Sequence, residues 1–269
     1  MPQGLSLHIG LNEIDPAHYG TNGQLAGCHN DARDMAAMAK AQGYQSLGTM
    51  LDGDATVKGL KTGITAAARK LDGGDIFFLT YSGHGGQVPD SNADERNDPL
   101  GGAGDRKDET WCLYDRMLVD DELYALFGGF RPGVRIAVLS DSCHSGSVTR
   151  AVDFGGRFLP KDVLERTYKE NVRLYDAVQE EFPSRRRLTV GATIILISGC
   201  QDNQTSADGE ANGLFTEHLE DVWHEGSFKG TLKRLRNVIA STMPTNQTPN
   251  YFVVGAPNRA FERAQAFGI

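Results

Sequence analysis

Apolar residues along the chain fall into short runs and helical stripes separated by polar turns. Residues 5–9 (LSLHI) read as a strand, followed by a Gly- and Asn-rich loop over 10–26 that contains Pro16. Over 27–43, Met35, Met38 and Ala39 recur at helical spacing, with Asn30 or Asp31 able to cap the start and Gly43 suited to the end. Residues 45–51 make a weak second strand. Residues 54–71 predict a helix with Leu60, Ile64 and Ala67 or Ala68 on one face, although Gly59 and Gly63 disfavour a helix interior. Strand-type runs follow at 76–79, 136–139, 193–198 and 250–254, and the spacing predicts helices over 121–127, 161–181, 213–223 and 231–243. Strands alternating with helices imply an α/β fold. Between them, 87–108 reads as a long loop crowded with Asp, Asn and Gly, a length at which loops are usually functional or mobile.

Two of the strands break into the same kind of turn. Residues 134–147 (VRIAVLSDSCHSGS) run from Ile136, Val138 and Leu139 into a polar turn holding Cys143; residues 75–87 (DIFFLTYSGHGGQ) run from Ile76, Phe77, Phe78 and Leu79 into a turn holding His84. The carboxyl edge of an open α/β sheet is where ligands bind. If these strands are parallel neighbours, about 5 Å apart, Cys143 and His84 share that edge, and a thiol beside an imidazole is a nucleophile with its general base. Ser142, Ser145 and Gly146 leave room for a substrate backbone to approach. The plain alternative is a buried, inert cysteine, since most free cysteines are small hydrophobes. His144 neighbours Cys143 in sequence, but adjacent residues on a turn point apart, so His84 is the expected base.

SGHGG after one apolar strand and DSCHSG after the next resemble the caspase-fold cysteine peptidases, specifically the type I metacaspases and their bacterial relatives. LAGCHNDARDM, LVDDELYAL and ISGCQDNQTSAD fit the same family in the same order, so the resemblance covers most of 5–257. It implies a single caspase-like α/β domain over 1–269: a larger catalytic part (about 1–150), a linker region (151–190) and a smaller part (191–269). The sheet would be six-stranded, mostly parallel and flanked by helices on both faces. It also implies an endopeptidase that cuts after Arg or Lys through a Cys143/His84 dyad and a thioester acyl-enzyme, without a third triad member. The N–H groups of Gly85 and Cys143 would hold the oxyanion. Asp31 and Asp141 would form the acidic walls of a pocket for the basic residue, helix capping being the bland alternative for Asp31. Asp108, Asp120 and Asp121 match positions that bind calcium in calcium-dependent metacaspases, with hard oxygen donors suited to that ion. The family's fourth acidic ligand falls seven residues past the nucleophile, where this chain has Arg150, with Asp153 three positions later. Calcium is therefore a candidate activator, and the chemistry itself requires no cofactor. An EF-hand reading of Asp90 to Asp98 fails for want of the sixth-place glycine and twelfth-place glutamate.

The chain has 269 residues, 39% of them hydrophobic, which is ample for one core. Its net charge of −8 argues against a nucleic-acid partner. No charged-then-apolar leader and no run of membrane-spanning length is visible, and the last strand is followed by too few residues for a further domain. Cys28, Cys112, Cys143 and Cys200 are scattered without CxxC pairing, which suits a reducing cytoplasm. Cys200 reads as a packed small residue, and Asp202 and Asp208 as residues able to shape substrate binding. The basic turn Arg185, Arg186 and Arg187 is either a solvated linker or a site of self-cleavage. The expected partners are protein or peptide substrates with exposed Arg or Lys, and a monomer is favoured. Two rival functions share the fold: an interaction module without catalysis, which would lack the Cys or the His, and a peptide ligase using the same thioester chemistry.

Overall fold

The computed structural model of the chain describes residues 1–91, 107–143, 156–182, 188–201, 204, 206–209 and 211–269. Its strands are β1 (Gly4–Gly10), β2 (Gln45–Leu51), β3 (Ile76–Ser82), β4 (Gly85–Pro89), β5 (Lys107–Cys112), β6 (Met117–Val119), β7 (Arg135–Asp141), β8 (Thr193–Ser198) and β9 (Asn250–Gly255). Six of them form one sheet in the order β2-β1-β3-β7-β8-β9, parallel throughout except for β9, which runs against β8. This is the expected six-stranded, mostly parallel sheet.

Successive side chains of a strand point to opposite faces, so each buried strand feeds two cores. On one face Phe77, Leu79, Ile136 and Val138 pack with Leu60 and Ile64 of the helix Val57–Lys70, Phe127 of Asp120–Gly128 and Tyr175 of Val172–Glu181. On the other, Phe78, Leu139 and Ile197 pack with Met35 of the helix Cys28–Ala41, Leu219 of Leu214–Trp223 and Leu235 of Leu232–Thr242. Helices therefore cover both faces, as the parallel topology requires. Among the described residues no helix is long and apolar enough to cross a membrane.

The local differences from expectation have physical causes. The helix Cys28–Ala41 starts ahead of Asn30 and Asp31, with Gly27 at its cap position and no side-chain cap of its own. Asn12, from the preceding loop, accepts the N–H groups of Cys28 and His29 at 3.0 and 3.3 Å instead. Asp31 is thereby freed from capping. Gly63 sits within a helix because the helix lies close on β1: a Cβ there would come within 2.7 Å of Leu7 Cδ2. The single helix expected over 161–181 is two, Lys161–Glu170 and Val172–Glu181. Asn171 breaks it with an extended φ of −121°, while its side chain donates back to the Thr167 carbonyl at 3.0 Å. The region read as one long loop over 87–108 overlaps strands at both ends: β4, β5 and β6 make a second, antiparallel sheet. Val88 is buried between Gln87 and Pro89, and β5 buries the polar Asp108 and Thr110 beside Trp111 and Cys112, a pattern too short and too polar to read as strand.

Candidate active site

β3 and β7 pair in parallel from Ile76 opposite Arg135 to Ser82 opposite Asp141. His84 and Cys143 each lie two positions past that last pair, so register alone sets them side by side on the carboxyl edge. Both are buried, at 6% and 0% exposure. The backbones touch at Gly85, where a Cβ would stand 1.7 Å from the Cys143 carbonyl oxygen. No residue but glycine fits after His84.

His84 Nε2 donates to the Gly23 carbonyl oxygen at 2.8 Å. Its Nδ1 is buried and has no hydrogen-bond partner among the described residues. Burial pushes the imidazole's pKa down to about 4, against the opposing pull of the Gly23 hydrogen bond. At neutral pH the ring is therefore uncharged, with its proton on Nε2 and a free lone pair on Nδ1, which is the state a general base needs. Gly23 thus supplies a third, orienting group where only a dyad was expected. A backbone carbonyl in a Gly-rich loop has no side-chain signature by which the sequence could have announced it.

Cys143 Sγ accepts the Ser206 N–H and lies 3.2 Å from Cys200 Sγ. All four cysteines are free and buried. Ser206 belongs to the segment after β8, in the GCQDNQTSAD stretch, so this rim loop reaches the thiol itself.

Asp31 and Asp141 do converge on one cation, and that cation is Arg157. Arg157 Nη1 lies 2.7 Å from Asp31 Oδ2 and 2.9 Å from Asp141 Oδ2, and Nη2 lies 2.9 Å from Asp208 Oδ1. The Arg157 side chain is wholly buried. Each carboxylate is itself held. Ser82 Oγ and the Gly213 N–H donate to Asp31, at 2.6 and 3.0 Å. Ser206 Oγ and Thr216 Oγ1 donate to Asp141, at 2.7 and 2.8 Å. Asp208 accepts the N–H groups of Ala26 and Gly27. Burial opposes the Arg157 charge, but Asp141, Cys28, Asp31 and Asp208 outweigh it and hold its pKa well above the ordinary value. Burial likewise pushes the Asp31 carboxyl up, opposed by Arg157. A buried charge network of this kind is costly to break from one side, by about 3–5 kcal/mol.

The Arg157 backbone is held as closely as its side chain. Its carbonyl oxygen accepts the N–H of Gly85 at 3.0 Å and the N–H of Cys143 at 3.1 Å. Its own N–H donates to the Ser206 carbonyl at 2.9 Å. The two donors expected to serve an oxyanion therefore point at one carbonyl oxygen. Arg157, Ser206 and the role of Asp208 were not assigned from the sequence. The available signal was an arginine shortly after DSCHSG in a chain whose expected pocket is acidic.

Asp108 and Asp121 are buried on the second sheet and at the start of the helix Asp120–Gly128. With Thr110 opposite Val119, Asp108 sits across from the first turn that carries Asp120 and Asp121. Among the described residues no group of three His, Cys, Asp or Glu side chains is placed to hold a metal ion. His144, Arg150, Asp153, Arg185, Arg186, Arg187, Asp202 and the part of the acidic loop from Asn92 to Asp98 lie outside the described residues.

A family profile described as the caspase domain of peptidase family C14 matches residues 4–259. Metacaspase-1 of Mycosarcoma maydis is 28% identical over 88% of this chain and 67% of its own length. Metacaspase-1 of Schizosaccharomyces pombe is 29% identical over 82% of this chain and 59% of its own. The chain thus spans roughly half to two thirds of the curated metacaspases it matches. Among solved structures, protein GSU0716 from Geobacter sulfurreducens is 45% identical with a TM-score of 0.89, covering 100% of this chain and 99% of that one. Caspase-1 from Spodoptera frugiperda, at 10% identity and a TM-score of 0.56 over 99% of this chain and 90% of that one, shares the fold. This chain belongs to the caspase-domain family of cysteine peptidases and is metacaspase-like within it.

Proposed function

We propose that the protein is a cysteine endopeptidase that cuts after Arg, and less efficiently after Lys. One observation carries this reading: an arginine guanidinium lies between Asp31 and Asp141 while the same residue's carbonyl oxygen accepts from Gly85 and Cys143. In the reaction, His84 Nδ1 takes the Cys143 proton and the thiolate attacks the scissile carbonyl. The Gly85 and Cys143 N–H groups receive the oxyanion, each contributing about 3 kcal/mol by analogy with comparable donors. His84 then protonates the leaving amine and activates the water that hydrolyses the thioester. Three carboxylates around one planar fork favour guanidinium over ammonium. The same acids repel a substrate Asp. Calcium enters only as a candidate activator through Asp108, Asp120 and Asp121, and no chemical step passes through it.

The test is a panel of fluorogenic peptides ending in Arg, Lys or Asp, with calcium or chelator, and with Cys143→Ala as control. Cleavage after Arg above Lys, none after Asp, and loss of all cleavage in the variant are expected. The calcium arm decides whether the acidic triad activates. The pH profile of kcat adds a second reading. A base works only when neutral, so turnover is lost as pH falls through its pKa. Because burial holds His84 near 4, turnover at pH 6 stays close to that at pH 7. Cleavage after Asp, or an acid limb centred on the ordinary histidine value of about 6.5, contradicts the assignment.

A further inference from the structure

We infer that Cys143 and Cys200 form a reversible disulfide when a small hydroperoxide oxidises the site, and that Cys200 is the resolving thiol that spares Cys143 from irreversible oxidation. The linkage needs only the two thiols; its effect on turnover rests on the proposed function.

Register brings the pair together from two strands. β7 and β8 run in parallel from Arg135 opposite Thr193 to Ser140 opposite Ser198. The pairing continues one step further, where the Gly199 N–H donates to the Ser140 carbonyl at 2.8 Å. Cys200 follows Gly199 directly, and Cys143 comes shortly after Ser140. Neighbouring strands are about 4.8 Å apart, inside the range of roughly 4.4–6.8 Å between Cα atoms that a disulfide spans. The two sulfurs are 3.2 Å apart, and bonding at about 2.05 Å draws them together by only about 1 Å. Cys200 is held in that position. Ser198 Oγ donates to its carbonyl at 3.0 Å, and its thiol faces the Ser142 carbonyl at 3.6 Å. A small packed residue would satisfy the space at 200. Packing does not call for a second thiol whose sulfur rests on that of the nucleophile.

The remaining cysteines lack this setting. Burial pushes the Cys28 and Cys112 thiols up to about 12, so neither supplies a thiolate at neutral pH. Cys143 has His84 on the neighbouring strand end as its base. Cys143 and Cys200 are themselves buried, at 0% and 4% exposure, which restricts the oxidant to one as small as hydrogen peroxide.

The chemistry balances in two steps. His84 removes the Cys143 thiol proton, and the thiolate sulfur bonds to one peroxide oxygen. The O–O bond breaks, and the departing hydroxide takes up the proton as water. Cys143 is then a sulfenic acid. The Cys200 sulfur attacks it, the S–O bond breaks, and the hydroxyl leaves with the Cys200 proton as a second water. Two thiols have been oxidised by two electrons, and one peroxide has been reduced. A dithiol reductant restores both thiols by exchange. While linked, Cys143 has no thiolate with which to attack a peptide. Without Cys200, further peroxide carries the sulfenic acid on to the sulfinic acid, which a dithiol does not reverse.

The experiment treats the reduced, purified chain with hydrogen peroxide, blocks remaining thiols by alkylation and maps peptides without reduction. Cleavage of an arginyl peptide is followed before treatment, after it and after dithiothreitol, each protein being compared with its own untreated rate. Wild type is expected to yield one linked pair of peptides, joining Cys143 to Cys200, with Cys28 and Cys112 alkylated. Its cleavage rate falls at least about tenfold and returns to within about twofold on reduction. Cys200→Ser yields no linked pair, accumulates sulfinic acid on Cys143 and recovers less than about a fifth of its rate. Should Cys200→Ser fold poorly, the wild-type peptide map decides by itself. Oxidised wild type without the Cys143–Cys200 pair overturns the inference, as does a Cys200→Ser protein that recovers as fully as wild type; either result leaves the peptidase reading untouched. A linked pair in a chain that cleaves no arginyl peptide before treatment upholds the disulfide and removes the peptidase reading.

Discussion

Asp141→Asn lowers kcat/KM for an arginyl peptide by about 150- to 5,000-fold, the equivalent of the roughly 3–5 kcal/mol lost when one partner of a buried ion pair is removed. The substitution keeps the volume and removes the charge. Asp141 Oδ2 lies 2.9 Å from the guanidinium in the pocket. Its two oxygens also accept from Ser206 Oγ, Thr216 N–H and Thr216 Oγ1, so the amide cannot satisfy every neighbour that the carboxylate does. Most of the loss falls on KM, because the pocket grips the side chain in ground state and transition state alike. The variant's melting temperature separates this from unfolding. A kcat/KM within threefold of wild type would mean that the acid is structural and that specificity lies elsewhere.

Gly85→Ala has a larger effect through a smaller change. One methyl group would be placed 1.7 Å from the Cys143 carbonyl oxygen and 2.6 Å from its carbonyl carbon. Neither is the end of a flexible side chain, so the ends of β3 and β7 must separate. Both N–H donors and the spacing between His84 and Cys143 move with them. With about 3 kcal/mol attached to each donor, kcat falls by on the order of 10⁴-fold. The readout is kcat on an arginyl peptide, with circular dichroism and thermal melting to establish that the sheet persists. Turnover within tenfold of wild type in a folded protein would show that these two N–H groups do not serve the reaction.

What the sequence made legible and what it hid divide along physical lines. The central strands were readable because each is a buried run of β-branched and aromatic residues, with polar residues breaking it at its end. Cys143 and His84 were readable because their chemistry resides in side chains set in tight local motifs. Asp31 and Asp141 could be paired only through family resemblance, since their convergence depends on folding elements far apart in the chain. Gly23 holds His84 through its carbonyl oxygen, and Ser206 meets the thiol and Arg157 through its N–H and carbonyl; such backbone contacts carry no residue-type signal. Arg157 was hidden for a different reason. Its sequence neighbourhood reads as a charged linker, and its burial follows entirely from acids contributed by three other segments. The second sheet escaped notice because its strands are short, polar on one side and separated by a long acidic insertion. The break at Asn171 shows the limit of periodicity: apolar spacing continued smoothly across a residue whose side chain preferred the backbone behind it.

The central claim is that Cys143 attacks the carbonyl of an arginine seated between Asp31 and Asp141. Covalent labelling with a peptidyl acyloxymethyl ketone ending in Arg tests it most directly, applied to wild type and to Arg157→Gln and located by peptide mass mapping. The account predicts one label per chain, on Cys143 alone, absent from Cys143→Ala, with an otherwise identical Asp probe reacting at least about 100-fold more slowly because it sets like charges together in a buried pocket. A label on Cys28, Cys112 or Cys200, or an Asp probe that reacts as fast as the Arg probe, would contradict it.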